Sequence, residues 1–257
     1  MMRKTINCQM KEKVKSVKRL NTILILSLVF NVVLFAGIVY VGVVKTSFFK
    51  RQCARIGLCE MSPQESGSYW CIKGWTNTIK KLNLDIDVVF FGNSITCGGQ
   101  FQDYFPDVKT CNLGYPGDEL EGMLLRVEQI KTLQPKKLFV MAGINGLYLK
   151  TDKVFEEKYQ RLVDSIRESV PETEVYLQSI LPICKTKRSS AKLDNEKIKR
   201  SNEIIREIAE RSNCVYVDLF SLYEENGQMP ERLSRDGVHL FPEAYSIWAD
   251  AIRQYVE

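Results

Sequence analysis

The chain has 257 residues, 45% of them hydrophobic, and a formal net charge of +5, which excludes a disordered protein and leaves room for one ordinary domain with an appendage. The charge is unevenly placed: residues 1–59 hold 11 basic side chains against a single acid, Glu12, for a net of +10, so the remainder carries −5. An acidic globular part excludes a protein that holds nucleic acid, because that binding rests on neutralising phosphates with Lys and Arg.

The first predicted element runs from Thr22 to Val44. It is 23 residues without a charge, TILILSLVFNVVLFAGIVYVGVV, and at about 1.5 Å per helical residue it spans a hydrocarbon core of about 30 Å. A cleavable signal peptide has a shorter apolar region, about 7–15 residues, ending at a small-x-small site. Here the run ends in Val43, Val44 and Lys45, which predicts a retained transmembrane signal anchor. Arg3, Lys4, Lys11, Lys13, Lys15, Lys18 and Arg19 precede it, whereas Lys45, Lys50, Arg51 and Arg55 follow. Basic residues stay on the cytoplasmic side, so residues 1–21 are expected as a cytoplasmic tail and the C-terminal part outside the cell membrane.

Residues 45–69 read as a linker, a basic stub followed by MSPQESGS, rich in loop formers. Of the eight cysteines, Cys8 precedes the span and seven follow it (Cys53, Cys59, Cys71, Cys97, Cys111, Cys184 and Cys214), so at least one external thiol is left unpaired. There is no CxxC, and the one histidine cannot complete the usual Cys/His zinc sets. No metal and no cofactor are expected.

From residue 70 to 257, short β-branched or aromatic runs alternate with longer segments of helical spacing. The runs are residues 87–91, 108–113, 137–142, 174–180 and 215–219. Asp118 and Glu121 have capping-box spacing before a helix predicted to reach about Thr132. Phe155, Tyr159, Leu162 and Ile166 form one apolar stripe from a start near Asp152, and Ile198, Ile205 and Ile208 another. The last stripe is Phe241, Tyr245, Trp248, Ile252 and Tyr255, with Pro242 in the first turn. Five strand–helix alternations predict a five-stranded parallel sheet with helices on both faces. Ligands of such sheets sit at the carboxyl ends of the strands.

At those ends stand the candidate functional residues. In "DVVFFGNSIT", residues 87–96, the first strand breaks at Gly92 and presents Ser94 beside the start of a helix. Backbone N–H groups there can meet an oxyanion, although a serine is equally a good helix cap. A serine nucleophile needs a base and the base needs an orienting carboxylate. The only histidine, His239, follows Asp236 in "SRDGVHLFPEAYSIW", a D-x-x-H spacing that in a tight loop brings carboxylate to ring; each residue alone also reads as ordinary loop chemistry. Strand two ends in "CNLGYPGDEL", where Gly114 allows close backbone approach. Strand three ends in "VMAGINGL", where Asn145 offers a side-chain amide, or simple turn chemistry before Gly146.

Four blocks in this order, G-N-S-I-T at 92–96, Gly114, G-I-N at 143–145 and D-G-V-H at 236–239, resemble the SGNH, or GDSL-like, hydrolases over residues 70–257. The resemblance implies a three-layer α/β/α sandwich of flavodoxin-like type and a catalytic triad of Ser94, His239 and Asp236. It also implies an oxyanion hole from the Ser94 N–H, the Gly114 N–H and the Asn145 amide. Asn93 stands where many members carry aspartate, and Gly146 follows Asn145 where an aspartate is often found.

The reading is a membrane-anchored serine esterase acting on O-acyl, above all O-acetyl, esters of a carbohydrate or cell-envelope glycan. A lipid esterase, an O-acyltransferase using the same triad and a non-catalytic glycan-binding module are the alternatives. Cys97 and Trp75 are expected to pack inward, as is Trp70. The basic run Lys185, Lys187, Arg188, Lys192, Lys197, Lys199 and Arg200 is expected as a solvated face.

Overall fold

The structure is a computed structural model, and it describes residues 2–41, 69–187 and 192–257. Two units separate, residues 1–53 and 54–257.

The described part of the first unit is one helix, α1 (Met2–Val39). Its segment Lys18–Val39 is long and apolar enough to cross a membrane, and none of it is buried against protein. The helix thus begins well before the predicted span, since nothing in residues 2–21 is a helix breaker. Residues 42–68, most of the expected linker, lie outside the described residues.

The described part of the second unit begins with α2 (Tyr69–Leu82). Five strands follow: β1 (Val88–Gly92), β2 (Thr110–Gly114), β3 (Lys137–Met141), β4 (Glu174–Gln178) and β5 (Val215–Val217). All pair in parallel, in the order β2-β1-β3-β4-β5. Between them lie α3 (Ser94–Cys97), α4 (Phe101–Tyr104), α5 (Leu120–Leu124), α6 (Val127–Leu133), α7 (Asp152–Ser169), α8 (Asn195–Arg211) and α9 (Phe220–Tyr223), and α10 (Tyr245–Val256) closes the chain. This is the expected α/β architecture. The strand order reverses between β1 and β3, and in open α/β sheets the carboxyl ends at such a point are where ligands bind.

One face of the sheet is aromatic. Phe90, Phe139 and Tyr176 are register partners on three adjacent strands and stack with centroids 5.3 and 4.5 Å apart. Phe101 of α4 lies on Phe90 at 3.8 Å, and Trp248 of α10 meets Phe101 edge-on at 5.2 Å. Offset and edge-to-face pairs contribute beyond their area, so α4 and α10 are fixed by this ladder. On the other face the helices α2, α6, α7 and α8 pack in succession over Val89, Phe91, Leu138, Val140, Val175 and Leu177, all buried.

Three sequence expectations change. The helix predicted from Asp118 to Thr132 is broken into α5 and α6 at Arg126, whose φ of −119° and ψ of 14° are not helical. Glu119, not Asp118, precedes α5 and makes no side-chain cap, because Asp118 is drawn to Arg126 instead. Phe241 is excluded from α10, since Pro242–Ala244 form a separate 3₁₀ turn, and it is 36% exposed.

Candidate active site

Ser94 is the first residue of α3, directly beyond β1. Asn93 caps this helix: its Oδ1 accepts the Ile95 N–H at 2.9 Å while the side chain is buried. The cap role that the sequence left open for Ser94 thus falls to its neighbour, and the Ser94 hydroxyl is free for other use. Its Oγ lies 2.8 Å from Nε2 of His239.

His239 sits on the loop before the 3₁₀ turn. Its Nδ1 is 2.8 Å from Oδ2 of Asp236, while Oδ1 of the same carboxylate accepts the backbone N–H of His239 at 2.9 Å and of Val238 at 3.1 Å. Partial burial pushes the Asp236 carboxyl upward, but the hydrogen bonds from His239 and Val238 outweigh it and hold it below its ordinary value. The loop is closed by Ser234, whose Oγ donates to the His239 carbonyl at 3.0 Å and accepts from the Gly237 N–H at 2.8 Å. Serine, imidazole and carboxylate therefore form one hydrogen-bonded series, oriented so that the carboxylate fixes the ring and the ring faces the hydroxyl.

The other predicted residues are at adjoining strand ends. Asn145 is half-buried, and its Nδ2 donates to the Asp118 carbonyl at 2.7 Å, leaving its second amide hydrogen. Gly114 is paired with Gly92 across β1 and β2. Its N–H donates to Oδ1 of Asn112 at 2.8 Å, a bond that competes with the oxyanion role expected of it. Gly114 must be glycine for a steric reason: a Cβ there would run into the backbone of Cys97. Asn112 in turn donates from Nδ2 to the carbonyls of Thr96 and Gly99, both at 2.8 Å, which ties the end of β2 to the chain carrying Ser94. Three residues on, Gly117 is exposed with φ +75°, and its N–H has no hydrogen-bond partner among the described residues. The second glycine of G-Y-P-G-D was the available sequence signal for it.

Arg126 is the residue that sequence reasoning missed. Its side chain is 2% exposed. Nε donates to Oδ2 of Asp118 at 2.7 Å, one terminal nitrogen to the Leu113 carbonyl at 2.6 Å and the other to the Gly92 carbonyl at 2.7 Å, with the guanidinium 4.1 Å over the Phe91 ring. Burial favours the neutral form of both partners, pushing Asp118 up and Arg126 down.

Around the site, Gly146 takes φ +68° and lies against Glu119 and Lys150, which pair at 3.2 Å with the Lys150 side chain almost fully buried. Cys97 and Trp75 are both exposed, Trp75 by 60%, against the inward packing expected of them: α3 is too short to carry Cys97 into the core, and α2 buries Ile79 instead. The Trp70 side chain lies outside the described residues. A cavity of about 360 Å³ between α2, the end of β2 and α6 is lined by Trp75, Leu82, Leu84, Cys111, Leu113 and Tyr115 among others. Within the basic run, Lys185 pairs with Asp194, Lys187 with Glu231 and Arg200 with Asp152. Arg188 lies outside the described residues.

The profile of the GDSL-like lipase/acylhydrolase family matches residues 90–247, which hold all of these strand ends. The chain belongs to that family. It is accordingly a serine ester hydrolase by class. No curated protein matches the chain. Among solved structures it is similar to a GDSL-like lipase from Bacteroides thetaiotaomicron (TM-score 0.62, 22% identity, 72% of this chain and 96% of that one). It is also similar to the lipase/acylhydrolase from Enterococcus faecalis (0.58, 22%, 66% and 95%), and to an acetyl xylan esterase (0.57, 23%, 67% and 100%). At these identities the likeness establishes the fold.

Proposed function

We propose that the protein hydrolyses short O-acyl esters, above all O-acetyl groups on a carbohydrate or cell-envelope glycan, with Ser94 as nucleophile, His239 as base and Asp236 as its orienting carboxylate. The observation that carries this is the unbroken series Ser94 Oγ–His239 Nε2–His239 Nδ1–Asp236 Oδ2, with both links at 2.8 Å. Ser94 Oγ attacks the acyl carbon as its proton passes to Nε2. The carbonyl oxygen becomes an oxyanion, for which we assign the Ser94 N–H, the free hydrogen of the Asn145 amide and the Gly117 N–H, in place of the Gly114 N–H, for which Asn112 competes. Gly117 immediately precedes Asp118, whose carbonyl holds Asn145, so these two donors belong to one hydrogen-bonded corner. The intermediate collapses, the imidazolium protonates the leaving alcohol, and an acyl-Ser94 remains. Water, deprotonated by the same imidazole, then releases the acid and regenerates the serine.

The choice of a glycan acetate rests on the acetyl xylan esterase and an acetyl-xylooligosaccharide esterase among the structural neighbours. A lipid ester is the second reading, favoured by the apolar cavity beside Gly114 and Tyr115 and by the apolar segment of α1. In either reading α1 anchors the chain with its N-terminus in the cytoplasm, and protease added to intact cells or spheroplasts digests the second unit. The deciding experiment compares wild type and Ser94→Ala, as full-length protein in detergent, on p-nitrophenyl acetate and octanoate. Turnover that vanishes in the variant and falls with chain length supports the acetylesterase; preference for octanoate selects the lipid reading, and equal turnover by the variant refutes both.

A further inference from the structure

We infer that Arg126, paired with Asp118, is the positioning residue of the oxyanion site: one buried guanidinium holds in register the three strand-end loops that supply its donors. This rests on the role of Ser94 proposed above.

The geometry is specific. Gly92, whose carbonyl accepts from Arg126 at 2.7 Å, ends β1 two residues before Ser94. Leu113, whose carbonyl accepts at 2.6 Å, immediately precedes Gly114 and the turn that carries Gly117. Asp118 receives the third bond at 2.7 Å and passes the constraint on, because its own carbonyl holds the Asn145 amide at 2.7 Å. The Gly92 carbonyl also accepts the Tyr115 N–H at 3.0 Å, so the loops after β1 and β2 meet at one acceptor that Arg126 fixes. Ser94, Gly117 and Asn145 are each linked to the guanidinium through these bonds, and all three of its nitrogens are engaged by protein acceptors, so it acts through its neighbours.

Holding the fold together would not require this device. A buried ion pair contributes little to stability compared with a well-packed apolar replacement, and apolar helix faces already surround the position, with Val127 and Ile130 buried. The chain also interrupts a helix at Arg126 to bring the side chain under the site, giving up backbone hydrogen bonds that a continuous α5–α6 would keep. A planar fork of donors that can reach three carbonyl or carboxylate acceptors at fixed angles is a property of arginine that lysine lacks. Oxyanion donors act through placement, and small displacements remove much of their effect.

The test uses full-length protein in detergent, with active sites counted by phosphonylation of Ser94 with a fluorophosphonate. Arg126→Lys retains charge but loses the fork. We expect kcat on p-nitrophenyl acetate to fall about 50-fold per titrated site, with KM within about twofold, since a donor active only in the transition state has been displaced. Affinity for a trifluoromethyl ketone, which forms the tetrahedral oxyanion on serine, falls by the same factor. In the Asn145→Ala background, Arg126→Lys costs less than it does in the wild type, because part of its effect runs through Asn145. A purely structural arginine would lower the melting temperature while kcat per titrated site stays within about threefold, and that result overturns the inference, as does full multiplicativity with Asn145→Ala. If Arg126→Lys does not fold, Asp118→Asn keeps the size and one acceptor and is expected to lose about tenfold in kcat; unchanged kcat there overturns it equally. Failure of the wild type to be phosphonylated at Ser94 is a different result: it refutes the role of Ser94 and removes the premise of this inference.

Discussion

The two halves of the site are held in opposite ways. Asp236 and His239 are fixed mostly by neighbours: the bonds among Ser234, Asp236, Gly237, Val238 and His239 span five residues or fewer, and one longer bond, from the Cys184 N–H to the Gly237 carbonyl at 2.9 Å, ties the loop to the chain beyond β4. Ser94 and Asn145 are fixed from a distance, by Arg126 at 34 residues from Gly92, by Tyr245 at 150 residues from Ile95 and by Asp118 at 27 residues from Asn145. A loop that orients its own base can be changed one residue at a time with local effects. The proposed nucleophile, held by buried long-range contacts, shares its fate with the fold. On the proposed roles, the difference locates where precision is built: the imidazole is pre-aligned mainly by its own chain segment, and the oxyanion donors are aligned by tertiary structure.

Substitutions can break or sharpen that contrast. The largest effect is expected from Ser94→Ala or His239→Ala, each lowering kcat by about 10⁴-fold or more, with the double variant losing little beyond either single one; steady-state rates on p-nitrophenyl acetate measure this. Asp236→Asn should cost about 10²–10⁴ in kcat by presenting the wrong partner to Nδ1. Its stability effect has a defined pH window. Because the folded carboxyl lies below its ordinary value, the ionised form stabilises the fold above the unfolded value, about pH 4. That contribution is lost as pH falls through the folded value. Melting curves of wild type and Asp236→Asn should therefore differ by a constant amount down to about pH 4 and converge below it; a gap that widens on acidification would contradict the assignment.

On the long-range side, Asn145→Ala should lower kcat about 10²–10³-fold with the melting temperature nearly unchanged, separating the donor from its support. Tyr245→Phe removes only the bond to the Ile95 carbonyl, 2.7 Å in the structure. About 1 kcal/mol, or a few degrees in melting temperature, is expected, with a several-fold loss of rate if the nucleophile depends on the fold as the contrast requires. Trp75→Ala should be the mildest, within about 0.5 kcal/mol by thermal unfolding because the side chain is exposed. It should also leave acetate turnover intact; a selective loss on octanoate would place the acyl chain in the cavity beside it.

The sequence made the near half of this molecule legible and hid the far half, for a physical reason. Strands, apolar helix stripes and the D-x-x-H loop are written in periods and short spacings, and Ser94, His239 and Asp236 come together at the predicted strand ends. The buried Arg126 has no period: it sits in a segment that reads as continuous helix, and its partners lie 8, 13 and 34 residues away. The bond from the Gly114 N–H to the Asn112 side chain spans only two residues, an Asx-type contact for which N-L-G was the available signal. Trp75 misled because an aromatic residue at helical spacing looks like core until the opposite face of α2 is seen to do the burying.

Gly146 carries a consequence for how this site can change over time. A side chain there would meet only the ends of the Glu119 and Lys150 side chains, while the backbone φ of +68° strains a residue other than glycine whatever the space around it, asparagine and aspartate least. The backbone rather than the neighbouring pair therefore limits what this position accepts: a change to asparagine or aspartate needs only a local shift of Glu119 and Lys150, and a β-branched residue is excluded.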